Sequence, residues 1–102
     1  MKVLYNGSYL TIEDSEYCTE LLSQCDFTKG MISGLPQNCK VAHKFGEGGY
    51  SNSPQLSESG IVYGNGFAYL LTVMTNGKDM NKLPEVIGAI SKKTHDMMSA
   101  QF

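Results

Sequence analysis

Gly64-Asn65-Gly66, set between Gly60-Ile61-Val62-Tyr63 and the run Phe67-Ala68-Tyr69-Leu70-Leu71-Thr72-Val73-Met74-Thr75, limits what this chain can become. Glycine and asparagine tolerate the positive φ that a tight hairpin turn demands, and both flanks are rich in β-branched and aromatic residues. The spacing predicts a short strand over 60–63 and a long one over 67–75. The long run is nearly unbroken in apolar character, which predicts a central strand covered on both faces. An antiparallel sheet is implied.

A further strand is predicted from Cys39 to Glu47. A turn at Leu35-Pro36-Gln37-Asn38 precedes it and Gly48-Gly49-Tyr50 follows. Alternation puts Cys39, Val41, His43 and Phe45 on one face and Lys40, Ala42, Lys44 and Gly46 on the other. Residues 48–59 contain Ser, Pro and Gly in quantity and read as a mobile loop. Two helices flank the strands. Thr11-Ile12-Glu13-Asp14 offers a hydroxyl N-cap with acids in the first turn, starting a helix over 12–25. Its apolar residues Tyr17, Cys18, Leu21, Leu22 and Cys25 recur at the spacing of a core-facing stripe. Leu83-Pro84-Glu85 starts a terminal helix, with Val86, Ile87, Ile90, Met97 and Met98 lining one side and Lys92, Lys93 and Asp96 nearer the other. Between the first helix and strand, residues 26–36 read as a short helical turn and loop held down by Phe27, Met31, Ile32 and Leu35. The fold class is therefore α+β: three antiparallel strands with an N-terminal and a C-terminal helix.

With 102 residues the chain is one domain at most. Its formal charge is -2, built from eight lysines, no arginine and ten acids. That excludes the basic stripe of a nucleic-acid binder. No apolar run is long enough to span a membrane, and the N-terminus lacks a signal core, so no export signal is expected in this chain. Cys18 and Cys25 lie seven residues apart on the predicted helix, about 10 Å in rise, too far for a disulfide. With Cys39 they read as small apolar groups.

Several chemistries fail on spacing. No serine has a lysine three residues on, and G-x-S-x-G is absent. Neither H-x-x-x-H nor C-x-x-C occurs, so no metal site is expected, and no cofactor. Cys39 and His43 share a strand face but stand about 13 Å apart. Gly64-Asn65-Gly66-Phe67 lacks the third glycine and the helix of a dinucleotide loop. What remains is Lys44, on a strand between His43 and Phe45 and followed by Gly46, whose missing side chain lets a ligand approach the backbone.

The run Gly34-Leu35-Pro36 through Lys44-Phe45-Gly46, then Ser59-Gly60-Ile61 and the hairpin into the terminal helix, resembles the C-terminal part of the serine β-lactamase and penicillin-binding-protein superfamily. The class A β-lactamase type is the most similar. Lys44-Phe45-Gly46 stands where that family carries its K-T-G motif. The resemblance implies a catalytic role for Lys44, which would position the substrate carboxylate and support proton transfer. It implies that Gly46 lets substrate lie along the strand edge, and that the backbone N–H of Glu47 is the strand-borne half of an oxyanion hole. Phe45 occupies the position of the motif hydroxyl, and Ser59 the position where class A enzymes often place a carboxylate-binding Arg. Both departures fall in the substrate-binding set.

The resemblance further implies that residues 1–102 are a single partial domain, the C-terminal portion of a β-lactamase-like catalytic domain. Its parent would be an extracytoplasmic bacterial enzyme acting on β-lactam or peptidoglycan-type acyl-D-Ala substrates through a serine outside this chain. The isolated chain would be inactive, and an uncovered apolar sheet face would make it dimerise, swap or aggregate. Two other readings fit the residues: a small non-enzymatic module binding a peptide or protein partner on its sheet edge, and a non-catalytic homologue in which Phe45 blunts the motif.

Overall fold

The structure, a computed structural model, describes residues 1–25 and 27–101, without the side chain of Val3. Asp26, which opens the predicted loop of residues 26–36, lies outside the described residues. In chain order come α1 (Lys2–Asn6), α2 (Ile12–Ser23), a 3-10 turn (Met31–Gly34), β1 (Lys40–Tyr50), β2 (Ser53–Tyr63), β3 (Ala68–Asn76) and α3 (Leu83–Gln101). The strands form one antiparallel sheet in the order β1-β2-β3. The α+β class and the two flanking helices agree with expectation. So does the Thr11 cap, whose hydroxyl accepts from the Asp14 N–H at 3.1 Å.

The first strand is longer than expected, and the expected loop over 48–59 is strand on both sides of a tight turn. Tyr50 pairs with Ser53, leaving only Ser51 and Asn52 to turn the chain. Gly49 takes φ +81 just before the turn. The turn-rich composition concealed a period of two: Pro54, Leu56 and Glu58 are buried, while Gln55 is exposed and Ser57 and Ser59 are half-buried. Pro54 is tolerated because it stands near the start of the strand, where its carbonyl still accepts from the Gly77 N–H and its missing N–H forgoes one bond just beyond the Gln55–Asn76 end of the β2–β3 register.

β2 is the central strand, and β3 lies at an edge, reversing the assignment of residues 67–75. Tyr69, Leu71 and Val73 turn towards the core. Leu70 and Met74 give that run its continuous apolar look, yet they lie on the other face and are 46% and 81% exposed. An apolar residue on the outer face mimics burial from both sides in sequence.

One sheet face carries Val41, Leu56, Val62 and Val73, closed by Met31 of the 3-10 turn and by Leu83 and Ile87 of α3. Fully burying side chains of this size contributes about 1.5–3 kcal/mol each. Gly34 and Gly88 let the turn and α3 meet: a Cβ on Gly34 would strike the Gly88 carbonyl, and one on Gly88 the Ser33 hydroxyl. Among the described residues the opposite face is covered only at one end, where α1 and α2 lie over Ala42 and Ile61 and Tyr5 sits 6.3 Å from the Tyr63 ring. Ala42, expected on the polar face, is accordingly buried.

The helices cover less than their stripes suggested. In α2 the buried residue is Ser15, whereas Tyr17 and Leu21 stay exposed and Cys18 and Leu22 are half-buried, as is Cys25, which the expected helix included but which lies past its end. In α3, Ile87 is buried beside Leu83, Gly88 and Ser91, but Val86, Ile90 and Met97 are exposed. Stripe spacing records which face is apolar, and among the described residues part of each stripe stays exposed. Among the described residues no helix is long and apolar enough to cross a membrane.

Candidate functional site at the edge of the sheet

Lys44, Phe45, Gly46 and Glu47 lie in the middle of β1, the strand at one edge of the sheet. Three hydrogen bonds define which of their backbone groups face outward. The Pro54 carbonyl accepts from the Gly77 N–H at 3.2 Å, and the Leu56 carbonyl from the Thr75 hydroxyl at 2.7 Å, so these β2 residues direct their backbone to β3. Neighbouring residues of a strand alternate in this respect, so Ser57 and Ser59 direct theirs to β1. Their partners Gly46 and Lys44 are therefore bonded into the ladder. Phe45 and Glu47, opposite Glu58 and Leu56, form the non-bonded pairs and present their N–H and C=O groups on the free edge. In agreement, the Lys44 ammonium reaches round the edge and donates to the Phe45 carbonyl at 3.2 Å.

The side chains divide by face. Lys44 is exposed, with its ammonium 5.2 Å from the Phe45 ring centroid, a cation–π contact at a wet site. Phe45 turns inward and packs on Phe27 with ring centroids 4.4 Å apart. A Cβ added at Gly46 would meet only the Ser57 hydroxyl, at 3.6 Å, an ordinary contact. Ser59, directly opposite Lys44, is half-buried in β2 and hydrogen-bonded to Thr72 at 2.9 Å, hydroxyl to hydroxyl. Lys44, Ser59 and Thr72 thus form one row across three strands, with Gly46, Ser57 and Met74 in the next. A groove of about 360 Å³ runs along that second row and is lined in part by Gly46, Glu47, Gly48, Ser57 and Met74.

Beneath this surface lies a group that the sequence reading left without a role. His43 and Glu58, both buried, approach within 2.6 Å through Nδ1 and Oε2. The other Glu58 oxygen accepts from the Met31 N–H at 2.8 Å, and the Met31 carbonyl accepts from the buried Ser91 hydroxyl at 2.9 Å. Breaking one partner of such a buried pair typically costs about 3–5 kcal/mol. His43 was legible as a residue of the buried face, which makes a polar partner obligatory. Glu58 was not, because residues 48–59 read as loop. At the far end of the sheet, Tyr69 and His95 bond at 2.9 Å beside the Phe67 ring, and burial pushes the Tyr69 phenol up to about 12. Among the described residues no three His, Cys, Asp or Glu gather where they could hold a metal, and all three cysteines are free.

A cation on an edge strand, beside outward backbone amides and a glycine, next to a hairpin and a terminal helix, is the arrangement that the resemblance to the β-lactamase and penicillin-binding superfamily led us to expect of its sheet portion. The chain matches the sequence profile of the beta-lactamase enzyme family, Beta-lactamase2, over residues 1–98, and it belongs to that family. Its structure is similar to that of PBP-A, with a TM-score of 0.79 at 15% identity, covering 98% of this chain. It is also similar to a PBP-A mutant in an acyl-enzyme complex with penicillin G, with a TM-score of 0.78 at 16% identity and the same coverage. The chain spans 37% of the length of those solved chains. No curated protein sequence matches it significantly.

Proposed function

We propose that residues 1–102 are a partial domain supplying the strand wall of a β-lactamase-like serine hydrolase site. The reaction is acyl transfer on β-lactam or acyl-D-Ala peptidoglycan-type substrates, with the serine nucleophile contributed by residues outside these 102. The observation that carries the reading is the outward backbone of Glu47 two residues beyond the Gly46 neighbour Phe45 and three beyond an exposed Lys44. An edge strand in this register offers substrate an amide donor for the charge that develops on an attacked carbonyl. The Lys44 ammonium draws the substrate carboxylate to the same edge and supports proton transfer near it. Gly46 leaves room for substrate to lie along the strand, and the Ser59 hydroxyl is the neutral donor on the carboxylate side. In this reading the parent acts outside the cytoplasm, where such substrates occur.

Without a nucleophile the covalent path is absent, so the isolated chain should not turn over substrate. A chromogenic β-lactam should be hydrolysed by the purified chain no faster than by its Lys44→Ala variant. A rate well above that control would overturn the reading. The exposed Tyr17, Leu21, Leu70 and Met74 support self-association or strand exchange of the isolated chain, and a mass by light scattering that stays monomeric at high concentration would count against it. One observation favours a non-catalytic homologue: Phe45, at the position of the motif hydroxyl, packs on Phe27 and offers no donor. Penicillin G binding to the chain that disappears in Lys44→Ala would favour the hydrolase wall over that alternative.

A further inference from the structure

We infer that His43 is a positioning residue for the Lys44 edge, acting through Glu58 in a single tautomer with the proton on Nδ1. The inference deepens the proposed site and rests on the reading that Lys44 and its neighbours form it.

Four elements converge on this pair. Glu58 of β2 accepts from Met31 of the 3-10 turn and meets His43 of β1, while Ser91 of α3 donates to the Met31 carbonyl. His43, Glu58, Met31 and Ser91 are each 0–1% exposed. Two glycines make room for the arrangement. A Cβ on Gly30 would collide with the Glu58 Oε1, and one on Gly60 would come within 2.7 Å of the Met31 sulfur and 3.1 Å of the His43 Cβ. The network therefore ends, in chain order, on the residue before Lys44.

The tautomer follows from the partners. One Glu58 oxygen is taken by the Met31 N–H, and the other meets a donor where the ring carries its proton on Nδ1. Nδ1–H of His43 supplies one at 2.6 Å. Nε2 is buried without a partner. A proton there would be an orphaned donor in a dry site, which folded proteins rarely keep. A neutral ring with bare Nε2 is the arrangement that leaves no donor stranded. Because His43 stands in a non-bonded pair of the ladder, opposite Gly60, its side chain adds a tie to β1 at a residue whose own backbone makes none, next to the ladder-bonded Lys44.

The test uses the full chain labelled with ¹⁵N. The His43 ring should show a protonated Nδ1 and a bare Nε2, and Glu58→Gln, which can still accept from Met31, should move the proton to Nε2 or break the pair. Asparagine can place an amide donor close to the position of Nδ1. Amide exchange at Lys44 and Gly46 should therefore stay within about threefold of the parent in His43→Asn and accelerate at least tenfold in His43→Leu. Amides of Val73 and Thr75 report whether the sheet as a whole survives. A protonated Nε2 in the parent, an unchanged ring in Glu58→Gln, or equal exchange at Lys44 and Gly46 in the two His43 variants would each overturn the inference. If His43→Leu does not fold, the Glu58→Gln spectrum decides. Penicillin G binding is recorded separately: its absence with the exchange pattern intact would sink the functional reading of Lys44 and leave the His43–Glu58 arrangement standing.

Discussion

Gly46 and Gly60 sit in the same sheet, and replacing each with alanine should have opposite consequences. At Gly60 the new methyl would lie 2.7 Å from the Met31 sulfur, 3.1 Å from the His43 Cβ and 3.3 Å from the Val41 Cγ1. A methionine sulfur can often swing away. Met31 is fully buried and bonded through both its N–H and its carbonyl, and His43 is held by Glu58, so neither neighbour has room to retreat. Overpacking of this kind costs about 1–3 kcal/mol. In a domain of this size each kcal/mol lowers Tm by about 4–8 °C. At Gly46 the methyl would meet only a serine hydroxyl at 3.6 Å, and Gly46 does not use positive φ. Gly46→Ala should therefore be neutral or stabilise by about 0.4–1 kcal/mol, through lost freedom of the unfolded chain. Thermal unfolding by circular dichroism of the two variants and the parent measures the contrast. A Gly46→Ala variant that melts as low as Gly60→Ala would refute the reasoning. Should the contrast hold, glycine at position 46 answers to something outside the described packing, as a ligand-facing edge would require.

Tyr69→Phe should cost about 0.5–1.5 kcal/mol through loss of the hydrogen bond to His95, read in urea unfolding. Because the fold raises the Tyr69 phenol from 10.0 to about 12, its contribution is whole below pH 10 and is lost as pH climbs towards 12. Burial also raises the Tyr63 phenol, so Tyr69→Phe should flatten the alkaline decline in part, as stability measured across pH 9–12 will report. Lys40→Met should leave Tm unchanged within error, since the 2.6 Å pair with Glu20 joins two side chains that are 52% and 58% exposed. Gly34→Ala should destabilise by at least as much as Gly60→Ala, because the methyl would press on the backbone of α3, which cannot rotate aside.

The strands around Gly64-Asn65-Gly66 and the helix from Leu83 were legible because turn chemistry and periodicity coincide there. Lys44 was legible as an unusual residue on a strand, and the structure puts it exposed on an edge strand; its role at a site is the proposal drawn from the family motif. Three things were not legible, each for a physical reason. Strand β2 begins with Ser-Pro-Gln and carries serines at its β1-facing positions, so local composition spoke for a loop while long-range pairing determined a strand. Leu70 and Met74 made an edge strand resemble a central one. Glu58 depends on a contact with Met31, 27 residues away, and on another with His43, 15 residues away, which no local pattern encodes.

The two-residue turn at Ser51 and Asn52 has a consequence for how the Lys-Phe-Gly motif is written. Which residues of β1 offer their amides to the free edge, and which side chains turn inward, are both set by the phase of the hairpin, several residues away from the motif. Inserting a single residue into that turn could slip β1 by one position, sending Lys44 into the core and His43 into water, although every letter of the motif would be intact. The motif is thus a word whose meaning depends on a reading frame, and Tyr50 opposite Ser53 is where that frame is counted from.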